Sequence, residues 1–339
     1  HLSFTDHGPD TFPRLSSCSC SIEQWDSDEP VPRSELLAKV AGIRGLYCLL
    51  TEKIDAKVLD AAGPSLQVVS TMSVGYDHVS LEELKKRGIR LGYTPDVLTE
   101  AVAELTVALL LATSRRLLEA VHEAKNGGWG TWKPLWMCGY GLTDSTVGIL
   151  GLGRIGAAVT ARLKPFGVKR FLYADTGPRP DVATKIPAEF VPLEELARHS
   201  DFIVVCCALT PETQGICGNG LFSLMKDTAI FINTSRGGVV NQEDLYQALV
   251  NGQIAAAGLD VTEPEPLPTD HPLFKLKNCG ESVLTATTTL FRWNIDKIPV
   301  SSKLRDSFLH VCFSSDLYNP VDSAYQLISF KRCASWNKK

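Results

Sequence analysis

The segment "VGILGLGRIGAAV", residues 147–159, constrains the fold of this chain more than any other. An apolar run leads directly into Gly151, Gly153 and Gly156, in G-x-G-x-x-G spacing, and a helical pattern follows. The first glycine permits a tight turn, the second lets backbone approach a pyrophosphate, and the third lets helix pack on strand. The helix N-terminus adds unpaired N–H groups and a positive dipole end for phosphates. Glycine-rich turns are common, so the bare motif is weak. Its context is stronger: a strand precedes it, a helix follows, and "RFLYAD" ends where a ribose-binding acid belongs. Dinucleotide binding is the expectation.

The same alternation runs through most of the chain. "LYCLL", "LQVVSTM" and "IRLGY" read as strands separated by the helical patterns "EKIDAKVLDAAG" and "SLEELKKRG". "TEAVAELTVALLLATSRRLLEAVHEAKNGG" then reads as one long helix, apolar on most faces of its first half and therefore buried. Beyond the glycine turn, "KRFLYAD", "DFIVVCCAL", "TAIFINT" and "AAAGLD" are strands, with "PLEELARHS", "GLFSLMK" and "NQEDLYQALVNG" as helices between them. Parallel strands joined by crossover helices are the predicted architecture. Strands as apolar as these must be covered on both faces. Residues 1–17 and 280–339 show neither period.

Composition narrows the function classes. With 339 residues, 44% of them hydrophobic, the chain can bury two cores. A net charge of -4 gives no global attraction to nucleic acid or an anionic membrane. The ten cysteines are scattered, and Cys48, Cys206 and Cys207 sit in apolar runs, as buried thiols in a reducing compartment do. Cys18 and Cys20 could form half a metal site, but no second pair has ligand spacing, so no metal is expected. No stretch is long and apolar enough to cross a bilayer. The chain starts at His1 without a basic-then-apolar leader, so a cytoplasmic location and an incomplete N-terminus are expected.

Three strand ends carry candidate chemistry. Asp175 could accept from a ribose 2′-hydroxyl and repel a 2′-phosphate, favouring NADH, whereas Arg179 could favour NADPH. A solvated turn, "DTGPRP", accounts for both equally well. Arg236, just past "AIFINTS", could clamp a carboxylate through two parallel hydrogen bonds. The plainer reading is a loop arginine paired with a nearby acid. In "GLDVTEPEP", Asp260 could accept from a carboxamide, and Glu265 could hold an imidazole charged and oriented. Taken alone, a two-acid loop is more often a solvated turn.

Together, "TMSVGYDH", "GLGRIG", "NTSRGGVVN" and "GLDVTEPEPLPTDHPL", in that order, resemble the D-isomer-specific 2-hydroxyacid dehydrogenase family. "EQWDSDEPVP", "KKRGIRLGYTPDVLTE", "NGGWGTWKPLWMCGYGLT" and "RLKPFGVKRFLY" resemble its glyoxylate- and hydroxypyruvate-reducing branch. The resemblance covers about residues 18–279. It implies a Rossmann-type doubly wound domain over residues 98–279 and a flavodoxin-like substrate domain over residues 18–97. The implied reaction is reduction of glyoxylate and hydroxypyruvate to glycolate and D-glycerate with NADPH or NADH, in a cytoplasmic homodimer.

Site residues carry over by motif. Val74 and Gly75 would offer backbone N–H groups to the substrate carboxylate. Gly153, Arg154 and Ile155 would line the pyrophosphate, with Ala208, Thr234 and Asp260 also at the cofactor. Arg236 would bind the substrate carboxylate and carbonyl, and Glu265 would pair with the catalytic histidine. Trp132, in "WGTWKPLW", would belong to a dimer contact that reaches the neighbouring active site, although a packed loop anchored by Trp is a reasonable alternative.

Both ends depart from the family pattern. The family follows "LKNC" with a short strand ending in Pro-His, then a glycine and a returning helix. Here "LKNCGESVLTATTTLF" puts Leu284 in the histidine's register. His271 belongs to a structural segment, and His310 lies in the unmatched tail. The expected outcome is impaired reduction. The competing class is a catalytically silent, dinucleotide-binding association protein. Formate dehydrogenase-like chemistry is weaker, since no family-matching Gln and His pair is present.

Overall fold

The computed structural model describes residues 20–25, 27, 29–281 and 328–333. The expectations for residues 1–17, for Leu284 and for His310 lie outside the described residues. The chain divides into two compact units that meet in sequence between Val97 and Leu98.

In the first unit the strands are β1 (Cys20–Gln24), β2 (Gly45–Cys48), β3 (Val68–Thr71) and β4 (Arg90–Gly92). Between them run α1 (Arg33–Lys39), α2 (Ala56–Ala62) and α3 (Leu81–Arg87). β2, β3 and β4 are parallel, and every residue of β2 and β3 is buried. Helix α2 starts where the Asp55 carboxylate accepts from Val58 N–H, a cap worth about 0.5–2 kcal/mol. Burial pushes that carboxyl up, but Arg33 and the Val58 N–H outweigh it and hold it below its ordinary value. Gly88 ends α3 at φ 67°, a left-handed position that glycine adopts without strain. Val40, Ile43, Val58 and Val69 share one core beneath the sheet. Fully burying a side chain of this size contributes about 1.5–3 kcal/mol.

The second unit opens with α4 (Thr99–Ser114) and α5 (Leu117–Lys125). The single long helix expected here is therefore two. The chain turns at Arg116, whose φ of 54° takes it out of the helical region. α4 buries Ala103, Thr106, Leu109 and Leu110, as its apolar faces require, whereas α5 buries nothing.

Seven strands follow: β5 (Thr146–Leu150), β6 (Arg170–Ala174), β7 (Ala188–Phe190), β8 (Phe202–Val205), β9 (Ile230–Asn233), β10 (Ala256–Leu259) and β11 (Cys279–Glu281). Their crossovers carry α6 (Arg154–Leu163), α7 (Pro180–Ala183), α8 (Leu193–His199), α9 (Asn219–Phe222) and α10 (Gln242–Val250). All pair in parallel in the order β11-β10-β9-β8-β5-β6-β7. This is a doubly wound α/β sheet, as expected, with its strand order reversing between β5 and β8. Ile203 and Val205 belong to the core on one face, and Phe202 and Val204 to the core on the other. Two strands went unread: short β7, and β11, which crosses the point where the sequence pattern changes.

A twelfth strand, β12 (Ile328–Cys333), belongs to the first unit's sheet, lying antiparallel between β1 and β2. The smaller sheet is thus mixed, in the order β1-β12-β2-β3-β4.

Candidate functional site

In an open parallel sheet, ligands bind beyond the carboxyl ends of the strands, where the strand order reverses. In the larger unit, the loops after β5, β6, β8, β9 and β10 leave that edge, and they hold the candidate residues.

The glycine turn is built as its spacing predicts. Gly151 has φ 95°, and a Cβ there would stand 2.7 Å from Cys207 backbone, so the turn closes tightly onto the loop after β8. A Cβ on Gly156 would collide with the carbonyl of Gly151, which is how α6 comes so close to β5. Gly153 differs: it caps α6 at φ -78°, and a Cβ there would meet nothing within 4 Å. The cradle is open at the one glycine that should face a pyrophosphate, so the turn fits a dinucleotide. Arg154 and Ile155 occupy the first helical turn.

Asp175, at the end of β6, does not simply face solvent. Its Oδ2 accepts from Leu152 N–H at 2.9 Å, and its Oδ1 accepts from Thr176 N–H at 2.8 Å. It therefore ties the loop after β6 to the glycine turn. The Arg179 side chain pairs with Asp181 at 3.5 Å, and its backbone N–H donates to Tyr173 Oη at 2.8 Å.

The Arg236 loop and the acid loop are locked to each other. A Cβ on Gly237 would run into the backbone of Thr262 and Glu263, so only glycine permits that contact. The Gln242 side-chain amide bonds both backbone groups of Glu263, accepting from its N–H at 2.9 Å and donating to its carbonyl. Asn233, fully buried at the end of β9, donates to Arg236 O at 2.9 Å and accepts from Ser235 N–H at 3.0 Å. Its carbonyl accepts from Asp260 N–H at 3.0 Å. Ser235 Oγ donates to Cys207 O, joining the loops after β8 and β9. Thr106 Oγ1 spends its proton on Val102 O, so Thr234 Oγ1, 2.7 Å away, must donate to Thr106.

Asp260 is buried, whereas Glu265 is an exposed residue. Desolvation about its carboxyl nevertheless lifts Glu265 above the ordinary carboxylate range. The Arg236 charge opposes that shift and the Asp260 charge adds to it. The three groups therefore feel one another, an arrangement suited to binding an anion beside an acid. Burial pushes the Cys206 thiol up to about 12 and Cys207 to about 11, so neither is a nucleophile at neutral pH. Ala208 is exposed, and its carbonyl accepts from Thr213 Oγ1 at 2.7 Å.

The remaining candidates stand apart from this rim in sequence. Val74 and Gly75, both half-buried, follow β3 in the first unit. Trp132 is 79% exposed, alongside Leu117, Leu118, Val121, Trp129 and Leu135, an unusually apolar surface segment. Sequence reasoning missed Asn233, Gln242 and Thr106. Asn233 had a signal, being the polar residue that ends an apolar run; the other two had none. Among the described residues, no group of three or more His, Cys, Asp or Glu could hold a metal ion, and no helix is long and apolar enough to cross a membrane.

Residues 107–285 match the family described as "D-isomer specific 2-hydroxyacid dehydrogenase, NAD binding domain". A human protein named glyoxylate reductase/hydroxypyruvate reductase is 66% identical over 263 residues, 78% of this chain and 80% of that protein. Its mouse namesake is 65% identical over the same shares. Among solved structures, D-lactate dehydrogenase from Aquifex aeolicus, complexed with NAD and lactic acid, superposes with a TM-score of 0.68 at 30% identity. That match covers 79% of this chain and 82% of the other.

Proposed function

The chain belongs to the D-isomer specific 2-hydroxyacid dehydrogenase family, and on that premise we propose that it binds NADH or NADPH and reduces glyoxylate and hydroxypyruvate, with strongly depressed turnover. The observation that carries this reading is the rim of the larger sheet. There an open glycine cradle follows β5, and an arginine loop locked to an acid loop follows the adjacent strands β9 and β10 of the same parallel sheet.

Residues 98–279 are the nucleotide domain and 18–97 the substrate domain. Gly151, Gly153, Arg154, Ile155 and Gly156 hold the pyrophosphate, and Asp175 the ribose. Ala208 and Thr234 would also contact the cofactor, and Asp260 would lie by its nicotinamide. When bound, the cofactor supplies hydride to the keto carbon. Arg236 orients the 2-oxo acid through its carboxylate and polarises its carbonyl, and in the first unit the N–H groups of Val74 and Gly75 are candidate donors to a substrate carboxylate. Glu265 is placed to hold a protonated imidazole, the family's proton donor to the carbonyl oxygen.

Depressed turnover rests on that imidazole. Leu284 stands in its register in sequence, and the described histidines have local settings of their own. His199 pairs with Glu195 at 3.0 Å, and His271 Nδ1 accepts from Leu273 N–H at 3.3 Å. His122 lies on exposed α5, and His78 contacts Thr71 in the first unit. Leu284 is also what favours the second reading, a catalytically silent dinucleotide-binding protein. The free thiols of Cys48, Cys206 and Cys207 support a reducing, cytoplasmic setting.

Calorimetric titration with NADH and with NADPH tests the cofactor claim. Asp175→Ser should shift preference toward NADPH, because it removes a charge that repels a 2′-phosphate. An unchanged affinity ratio would show that Asp175 serves only to tie Leu152, and binding of neither cofactor would end the reading altogether.

The exposed apolar segment from Leu117 to Leu135 supports a homodimer that includes Trp132. Sedimentation should find a dimer for the unaltered chain and a monomer for Leu135→Glu, whose parent side chain is 86% exposed. A monomeric parent would contradict this assembly.

A further inference from the structure

Three polar side chains that the reaction leaves unused converge behind the substrate loop of the first unit. Thr71, fully buried, ends β3, and Ser73 is buried two residues later. Thr71 Oγ1 lies 2.9 Å from Ser73 Oγ and 2.9 Å from His78 Nε2. Ser73 Oγ donates to Gly75 O at 2.6 Å.

Counting protons gives the chain one direction. A hydroxyl has a single hydrogen. That of Ser73 goes to Gly75 O, so Ser73 must accept from Thr71. Thr71 has then used its own hydrogen and must accept from His78, which fixes Nε2 as the protonated ring nitrogen. The order is His78 N–H to Thr71, Thr71 O–H to Ser73, Ser73 O–H to the Gly75 carbonyl.

The anchor of this relay is firm. His78 O accepts from Ile54 N–H at 2.9 Å, and Ile54 and Val79 form a parallel bridge. Ser73 O accepts from Thr94 N–H at 3.0 Å. At the other end stands a glycine, the residue with the widest backbone freedom. Clamping its carbonyl restrains the turn that carries the Val74 and Gly75 N–H groups.

We propose that His78, Thr71 and Ser73 are positioning residues, a directional hydrogen-bond relay that presets the Val74–Gly75 backbone for a 2-oxo acid carboxylate. This rests on the reading that those two N–H groups bind substrate.

The probe is oxalate, a non-reducible dicarboxylate, titrated calorimetrically into the full chain saturated with NADH. Thr71→Val is nearly isosteric and removes only the relay's middle oxygen. It should weaken oxalate roughly tenfold, about the worth of one well-placed hydrogen bond, with NADH affinity unchanged. Thr71→Ser and His78→Gln, which keep a hydroxyl and an N–H donor, should bind oxalate as the parent does. Unchanged oxalate affinity in Thr71→Val overturns the relay alone. Failure of the parent to bind oxalate overturns the site reading, and the relay's role with it. One measurement needs no variant: in the ¹⁵N spectrum of histidine-labelled protein, His78 Nε2 should carry a proton at neutral pH. An unprotonated Nε2 overturns the relay.

Discussion

Gly153→Ala is expected to weaken NADH and NADPH binding about tenfold or more, close to 1.4 kcal/mol, while thermal stability changes little. The two effects separate because of where this glycine sits. Its φ of -78° suits any residue, and its Cβ would enter open space, so the folded chain accepts the methyl group without strain. A bound pyrophosphate would have to approach that same backbone, and the added carbon stands in its way. Gly151→Ala makes the contrast. At φ 95° and 2.7 Å from Cys207 backbone, its Cβ should cost stability as well as affinity, since both the backbone conformation and the contact are unfavourable. Parallel melting curves and cofactor titrations of the two variants check this. Equal affinity loss with equal stability loss would mean that Gly153 is only a structural turn.

Five strands of the larger sheet were legible because they are near-continuous apolar runs, and the candidate residues stand out because they break such a run at or just past its end. Gly151 directly follows β5, Asp260 directly follows β10, and Arg236 lies three residues past β9. The break at Arg116 was not legible. No glycine or proline marks it, and the apolar pattern continues through Leu117 and Leu118 onto a helix that buries nothing. β12 was hidden for a different reason. "ISFKRC" has no clear period, and its partners Gly45–Tyr47 lie far away in sequence, so only tertiary pairing makes it a strand. The clamps around the candidate site share that difficulty. Gln242 reaches Glu263 and Asn233 reaches Arg236 through geometry that no local pattern encodes. What a strand end offers can be read from residue types; what holds it still depends on the fold.

The second large effect concerns the proton. A positioned general acid is typically worth roughly a hundred- to ten-thousand-fold in rate. On the proposed reading, Arg236 still orients a 2-oxo acid without it, and Glu265, its carboxyl raised by desolvation and by the Asp260 charge against the opposing Arg236 charge, lacks the family's imidazole. Grafting a family-like strand–Pro–His–Gly segment and its returning helix after Cys279 should therefore raise hydroxypyruvate turnover by about that factor. Leu284→His alone should restore little, because an imidazole without the surrounding segment is not held in position.

The decisive measurement is single-turnover oxidation of bound NADH or NADPH on mixing with hydroxypyruvate, run on the unaltered chain and on the graft. The expected result is cofactor binding by both, with oxidation fast in the graft and roughly a hundred- to ten-thousand-fold slower, or absent, in the parent. Equal, rapid oxidation in the two would contradict the account, and would mean that another group in this chain delivers the proton.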